Sequence, residues 1–258
     1  MASDLTKFGL REMLHCGTEL RRLTRGARTM EAAAQRVCGF FHEELRAPDE
    51  SRACVLVRCY KTHPFGALDA SLQRFARGLL GADDQPTPTM RCLTLIATVG
   101  DEPAWNSRHR SRGHRAIPLP SPEIVEKAPM IAQLIRQFGL DIADVVRPSP
   151  DVVRELGGKT YGVFHVEHAA GSPYIPAQDD FVAPFGVRSV LGFGGSLRAG
   201  DLFAVVLFAR VPIAASVADR FRTLALEVKS AFFLFTERET FEPAAPPGPE
   251  AAETSVHA

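Results

Sequence analysis

"FGVRSVLGFGGSLRAGDLFAVVLFARVPI", residues 185–213, holds two apolar runs on either side of a glycine-rich turn. Residues 187–193 and 202–210 are short and rich in valine, leucine and phenylalanine, a strand composition. "GSLRAGD" between them carries the glycines and aspartate of a turn. Over about residues 216–235, Val217, Phe221, Leu224, Val228, Ala231 and Phe235 then recur at spacings of 4-3-4-3-4. That spacing predicts a helix, and it suits a two-helix seam as well as a core face. A strand pair feeding a closing helix therefore ends the folded part of the chain.

Outward from this point, "ACVLVRCY" (53–60), "MRCLTLIATV" (90–99) and "YGVFHVE" (161–167) read as three further strands. Leu10, Met13, Leu14, Cys16, Leu20 and Leu23 form a helical stripe near the start, and Thr29 caps a second helix. Leu68, Leu72, Phe75 and Leu79 mark a third helix with Gly81 as its stop, and Ser121-Pro122 opens a fourth that is interrupted at Pro129. The order predicts an α/β (α+β) fold: a mostly antiparallel five- to six-stranded sheet with the N- and C-terminal helices packed on one face. The expected divisions are a dimerisation helix (1–28), a sensor domain (29–237) and a tail (238–258) whose Pro-, Ala- and Glu-rich composition predicts disorder.

Lys and Arg total 30 and so do Asp and Glu, so nothing global draws the chain to nucleic acid or to an anionic membrane. No stretch approaches the roughly 18 unbroken apolar residues of a membrane span. The mixed charges of "MASDLTKFGLREMLHCG" do not make a secretory signal. Five cysteines without a C-x-x-C pair fit a reducing compartment, and a cytoplasmic location is expected.

The segment 185–213 followed by "ADRFRTLALEVKSAFF" resembles a GAF domain, the small-molecule sensor module of bacterial signalling proteins. Arg188, Ser189, Val190 and Leu191 stand for the first strand of the family's closing pair, residues 196–201 for the hairpin and 203–210 for the second strand. The pattern departs at Leu202-Phe203, where many members begin the last strand with glycine, and at Phe193-Gly194, where an apolar-Pro pair is usual. The resemblance implies a sensory, ligand-binding homodimer that signals through its helices to a separate partner protein. It supplies no catalytic set and leaves the cofactor unassigned.

The residues themselves offer two ligand contacts. Tyr161, His165 and Glu167 alternate along one strand and leave the same face, where an imidazole and a carboxylate can orient a small polar ligand. A half-exposed strand with a satisfied His–Glu pair reads equally well. Ser189, on a neighbouring strand, joins this group as a candidate. "WNSRHRSRGHR", 105–115, supplies Trp105 for stacking and Arg112, His114 and Arg115 for gripping an anion, the features of a lid, although a solvated surface loop reads slightly better. His165 and His168 leave opposite faces, so no metal site is expected there. Cys54, Cys59 and Cys92 fall within apolar strands as core residues. No nucleophile–base pair or nucleotide fingerprint occurs, so catalysis is not expected. Two alternatives stand beside the sensor: a thiol-dependent GAF-type reductase using Cys59, and a dimeric scaffold that binds no ligand.

Overall fold

The computed structural model describes residues 2–81, 84–111, 113–149, 161–197, 200–235 and 239–242. Six strands form one sheet: β1 (Cys54–Pro64), β2 (Arg91–Gly100), β3 (Ala116–Leu119), β4 (Tyr161–Val166), β5 (Ser189–Ser196) and β6 (Leu202–Ala209). Their spatial order is β3-β2-β1-β6-β5-β4, and every neighbouring pair is antiparallel. The chain is thus mixed α/β with a six-stranded antiparallel sheet, as its sequence predicts, and the extra strand is β3. Pro118 sits in β3 opposite Cys92, which an edge strand tolerates because no second neighbour asks for its missing N–H.

One face of the sheet is covered by α1 (Leu10–Thr24), α2 (Met30–Glu44) and α8 (Phe221–Phe232). Thr29 caps α2 by accepting the Ala32 N–H at 3.1 Å. Phe41, Phe193, Phe203, Phe221 and Phe232 fill this layer, with edge-on pairs at 5.3 Å (Phe41–Phe193) and 5.6 Å (Phe203–Phe232). The stripe of the closing helix is therefore consumed inside the chain: Phe221, Leu224 and Val228 are fully buried against the sheet and α2. Of the two readings of this stripe, a seam or a core face, Leu224 takes the core face. The helix is also in two pieces, α7 (Ala215–Ala218) preceding α8.

The other face carries α4 (Pro122–Glu126), α5 (Pro129–Gln137) and α6 (Ile142–Val146), together with residues 175–187. Ser121 caps α4 and Pro129 begins α5, both as the sequence implies. Glycines set the height of α5 above the sheet. Gly162 of β4 pairs with Gly194 of β5, and Phe164 pairs with Gly192. A β-carbon on Gly162 would lie 2.5 Å from Phe138 Cα, and one on Gly194 would lie 2.9 Å from the Phe138 ring. The C-terminal end of α5 thus rests almost directly on backbone. The Gln137 side chain completes the seat by accepting the His165 N–H at 2.8 Å.

Between β1 and β2, α3 (Ala70–Arg77) packs beside the sheet edge with Phe65, Leu72 and Met90. Residues 239–242 return to the body of the molecule. The Thr240 carbonyl accepts the Glu31 N–H at 2.8 Å, and Phe241 packs against His63 at 5.2 Å between ring centres. The packed part therefore reaches beyond the expected boundary at 237; residues 243–258, the bulk of the expected tail, lie outside the described residues.

Candidate functional site

With its C-terminal end seated on glycine, α5 leaves a gap under its N-terminal half. A cavity of about 310 Å³ lies there, between the sheet and a roof made by residues 128–131, Leu134, Ile175, Pro176, Ala177 and Phe181. Its floor is a small grid of facing side chains on the two central strands. Leu56, Arg58 and Tyr60 of β1 stand opposite Phe208, Val206 and Ala204 of β6. Leu93, Ile117, Trp105 and His114 close the side.

Trp105 belongs to an aromatic cluster. Its ring lies 4.6 Å from Phe185 and 5.6 Å from Phe181, which in turn meets Phe208 at 5.1 Å. Gly100 makes room for the indole, since a β-carbon there would be 2.8 Å from Trp105 Cε3. The loop that carries Trp105 is fastened at several points. Asn106 exchanges hydrogen bonds with the Gly100 backbone at 3.0 and 3.1 Å, and Arg108 pairs with Glu31 of α2 at 2.8 Å.

The polar groups gather at one corner. Arg58 Nη1 donates to the Tyr60 hydroxyl and Nη2 to Ser111 Oγ, both at 3.3 Å. His114 stands at the rim with a left-handed φ of 59°, a conformation that a non-glycine residue holds only where its surroundings impose it. Desolvation first and the Arg58 charge second push the His114 imidazole below its ordinary value, although part of the residue stays exposed. At neutral pH the corner therefore presents one fixed cation beside neutral donors and acceptors.

Of the residues singled out in the sequence, the cavity brings together Trp105 and His114. Arg115 lies elsewhere: its guanidinium is 5.8 Å from the centre of the Phe75 ring and donates to Ser71 Oγ at 3.2 Å. Arg112 lies outside the described residues. Tyr161, His165 and Ser189 alternate with residues of the cavity face and turn toward the helix layer instead. Tyr161 packs into the α1–α2–α8 core, and the His165 ring meets the Ile213 carbonyl at 2.8 Å. Ser189 is fully buried and donates to the Val211 carbonyl. Glu167 follows the end of β4 and is exposed. The His165 face thus lies on the opposite side of the sheet from this cavity, whose floor is formed by β1 and β6.

Arg58 and Tyr60 escaped the sequence reading, although a signal was present. An arginine inside the apolar run "CVLVRCY", two residues from a tyrosine, puts a charge and a hydroxyl on one face of a central strand. Among the described residues, no group of three or more metal-ligating side chains comes together.

No family model matches the chain, and no curated protein matches it either. Among solved structures it is similar to the phycocyanobilin-bound GAF domain of a cyanobacterial phytochrome. The identity is 11%, the TM-score 0.41, and the match covers 86% of this chain and 94% of that one. It is similar also to the photosensory core module of a Stigmatella aurantiaca phytochrome (11% identity, TM-score 0.39, 90% and 38% covered). A third is CepR2 of Burkholderia cenocepacia, an N-acylhomoserine lactone-dependent LuxR-family transcription factor (15% identity, TM-score 0.36, 87% and 96% covered). These values describe a loose likeness of chain path, and what the three proteins bind stays with them.

Proposed function

We propose that this chain is a sensory or regulatory module that takes a small, mostly apolar molecule into the cavity under α5. The observation that carries the reading is the cavity itself, a partly open space on the two central strands whose lining is apolar apart from one polar corner. Such a composition serves ligands: apolar walls supply affinity, and a few placed polar groups supply orientation. The ligand would act by favouring the form of the roof and side loop that closes over it, to the extent of its differential affinity for that form.

The rival thiol chemistry finds less support. All five cysteines are buried, and Cys59 points into the helix layer, where burial raises its thiol well above the ordinary range. A nucleophilic cysteine needs the opposite environment. Helix-mediated dimerisation belongs to the proposal, with α1 rather than α8 as the contact: Leu10 and Leu14 are 58% and 59% exposed, one turn apart. No helix among the described residues is long and apolar enough to cross a membrane, and a cytoplasmic setting is part of the same reading.

Thermal-shift screening of apolar small molecules tests it, with Ala204→Trp as the control. Ala204 is buried on the cavity floor, so the indole occupies ligand space. A ligand at 100 times its Kd stabilises by about 2.7 kcal/mol. That stabilisation should appear in the wild type and vanish in the variant. Equal shifts in both proteins would place binding elsewhere and remove the proposal.

A further inference from the structure

The floor of the cavity holds a cation with no anion. Among the described residues no carboxylate lies within ion-pairing distance of Arg58, whose hydrogen-bonded partners are the neutral hydroxyls of Tyr60 and Ser111. Its Nε is buried without an acceptor. Across the β1–β2 ladder, the residue opposite Arg58 is Thr98, whose buried Oγ1 is likewise unpaired. Two other buried cations are neutralised, Lys61 at 2.6 Å from Asp201 and Arg108 at 2.8 Å from Glu31, whereas buried Lys229 lies over the Phe233 ring. A lone guanidinium facing an apolar cavity is costly to keep there, and a bound anion offsets that cost by filling the fork with two charge-assisted hydrogen bonds.

The geometry points to a specific ligand class for this site: an amphipathic monocarboxylate, its carboxylate on Arg58 and Tyr60 and its apolar body against Trp105 and Phe181. This rests on the binding role proposed above and adds the ligand's charge. One fixed cation balances one negative charge, and among the described residues no second cation lines the cavity to meet a dianion. The aromatic cluster beside Trp105 favours a flat or branched apolar body over a polar one.

Isothermal titration of the full chain with 2-naphthylacetate, its neutral primary amide and 2-naphthyl phosphate tests the inference. The neutral dye prodan reports separately whether the cavity opens to apolar molecules at all. The wild type should bind the carboxylate at least tenfold more tightly than the amide, and more tightly than the phosphate. Arg58→Met should abolish the preference for the carboxylate while leaving amide affinity within about twofold, and Arg58→Lys should restore part of it. Prodan should bind both the wild type and Arg58→Met, which shows that the methionine variant is folded. If prodan enters the wild type but carboxylate and amide bind alike, or if the preference survives Arg58→Met, the anchor is refuted and the cavity reading stands. A phosphate that binds more tightly than the carboxylate overturns the ligand class. If neither prodan nor any naphthyl compound binds, both readings fall together.

Discussion

His63 ends the buried stretch of β1 at 2% exposure, with the Phe241 ring on one side and two cations nearby. Burial first, then the charges of Lys61 and Arg91, hold its pKa well below the ordinary imidazole value. The imidazole is therefore neutral in the fold. The unfolded chain takes up a proton there once pH drops below roughly 6.5, the unperturbed value. Protons then favour the unfolded state, so this contribution is intact above that pH and is lost as pH falls toward the depressed folded value. Urea midpoints taken at about pH 7.5 and about pH 5.5 should differ by on the order of 1 kcal/mol from this residue. His63→Phe, which keeps a ring against Phe241, should remove that part of the difference; an unchanged pH dependence would show that His63 binds protons alike in the folded and unfolded chain. Single residues varied in how openly the sequence displayed them. Thr29 and Ser121 announced helix starts because a cap works through local chemistry alone. Arg58 gave the same local signal, a charge inside an apolar strand, but its meaning depends on which helix stands above it.

At the scale of elements, the seat of α5 decides whether there is a cavity. A β-carbon on Gly194 would lie 2.1 Å from the Phe203 carbonyl oxygen and 2.9 Å from Ala204 Cα, both backbone atoms of the neighbouring strand that cannot rotate aside. Gly194→Ala should cost roughly 1–3 kcal/mol or more through this overpacking, read as a lower urea midpoint at constant slope. Gly171→Ala is the comparison: its φ of 70° strains any side chain but nothing crowds it, so its loss should stay near the roughly 1 kcal/mol of a lone left-handed alanine. Equal losses at the two positions would mean that close packing at Gly194 adds nothing. The glycines of "GFGG" permit close backbone approach, yet the approaching partner, Phe138, lies more than fifty residues away and leaves no local mark. The edge strand β3 went unread for a related reason. Pro118 and Pro120 look like breakers, and only the position at the sheet edge makes Pro118 harmless.

Across the whole molecule, the layering was legible because apolar periodicity reports which residues are buried. It does not report against what. The 4-3-4 stripe of the closing helix fits a partner copy and a home sheet equally, and the sheet won because Phe221, Leu224 and Val228 had Phe193 and Phe41 to meet. Apart from the Arg58–Tyr60 signal the cavity's face was hard to read for the same reason: β1 and β6 are buried on both sides, so alternation of burial marks neither. One edge of α1 stays uncovered at Leu10 and Leu14, as do Leu226 of α8 and Leu234. If α1 joins two copies, the double variant Leu10→Glu, Leu14→Glu should sediment as a monomer under conditions where the wild type is a dimer. Its thermal midpoint should stay within a few degrees at low concentration, since neither side chain belongs to the core. A dimer that persists in the variant would exclude this face.

Glu31 closes the circle of contacts around the cavity. One carboxylate oxygen holds Arg108 of the side loop and the other accepts the Glu242 N–H, while the residue's own N–H is held by Thr240. The chain thus sets off toward residue 243 from the same side chain that tethers the loop bearing Trp105. A small displacement of that loop would tug on the point of departure with no need for movement in the sheet. On the binding role proposed above, a shift of the loop would reach residue 242 through Glu31 and through the Phe241 ring that lies under Arg108.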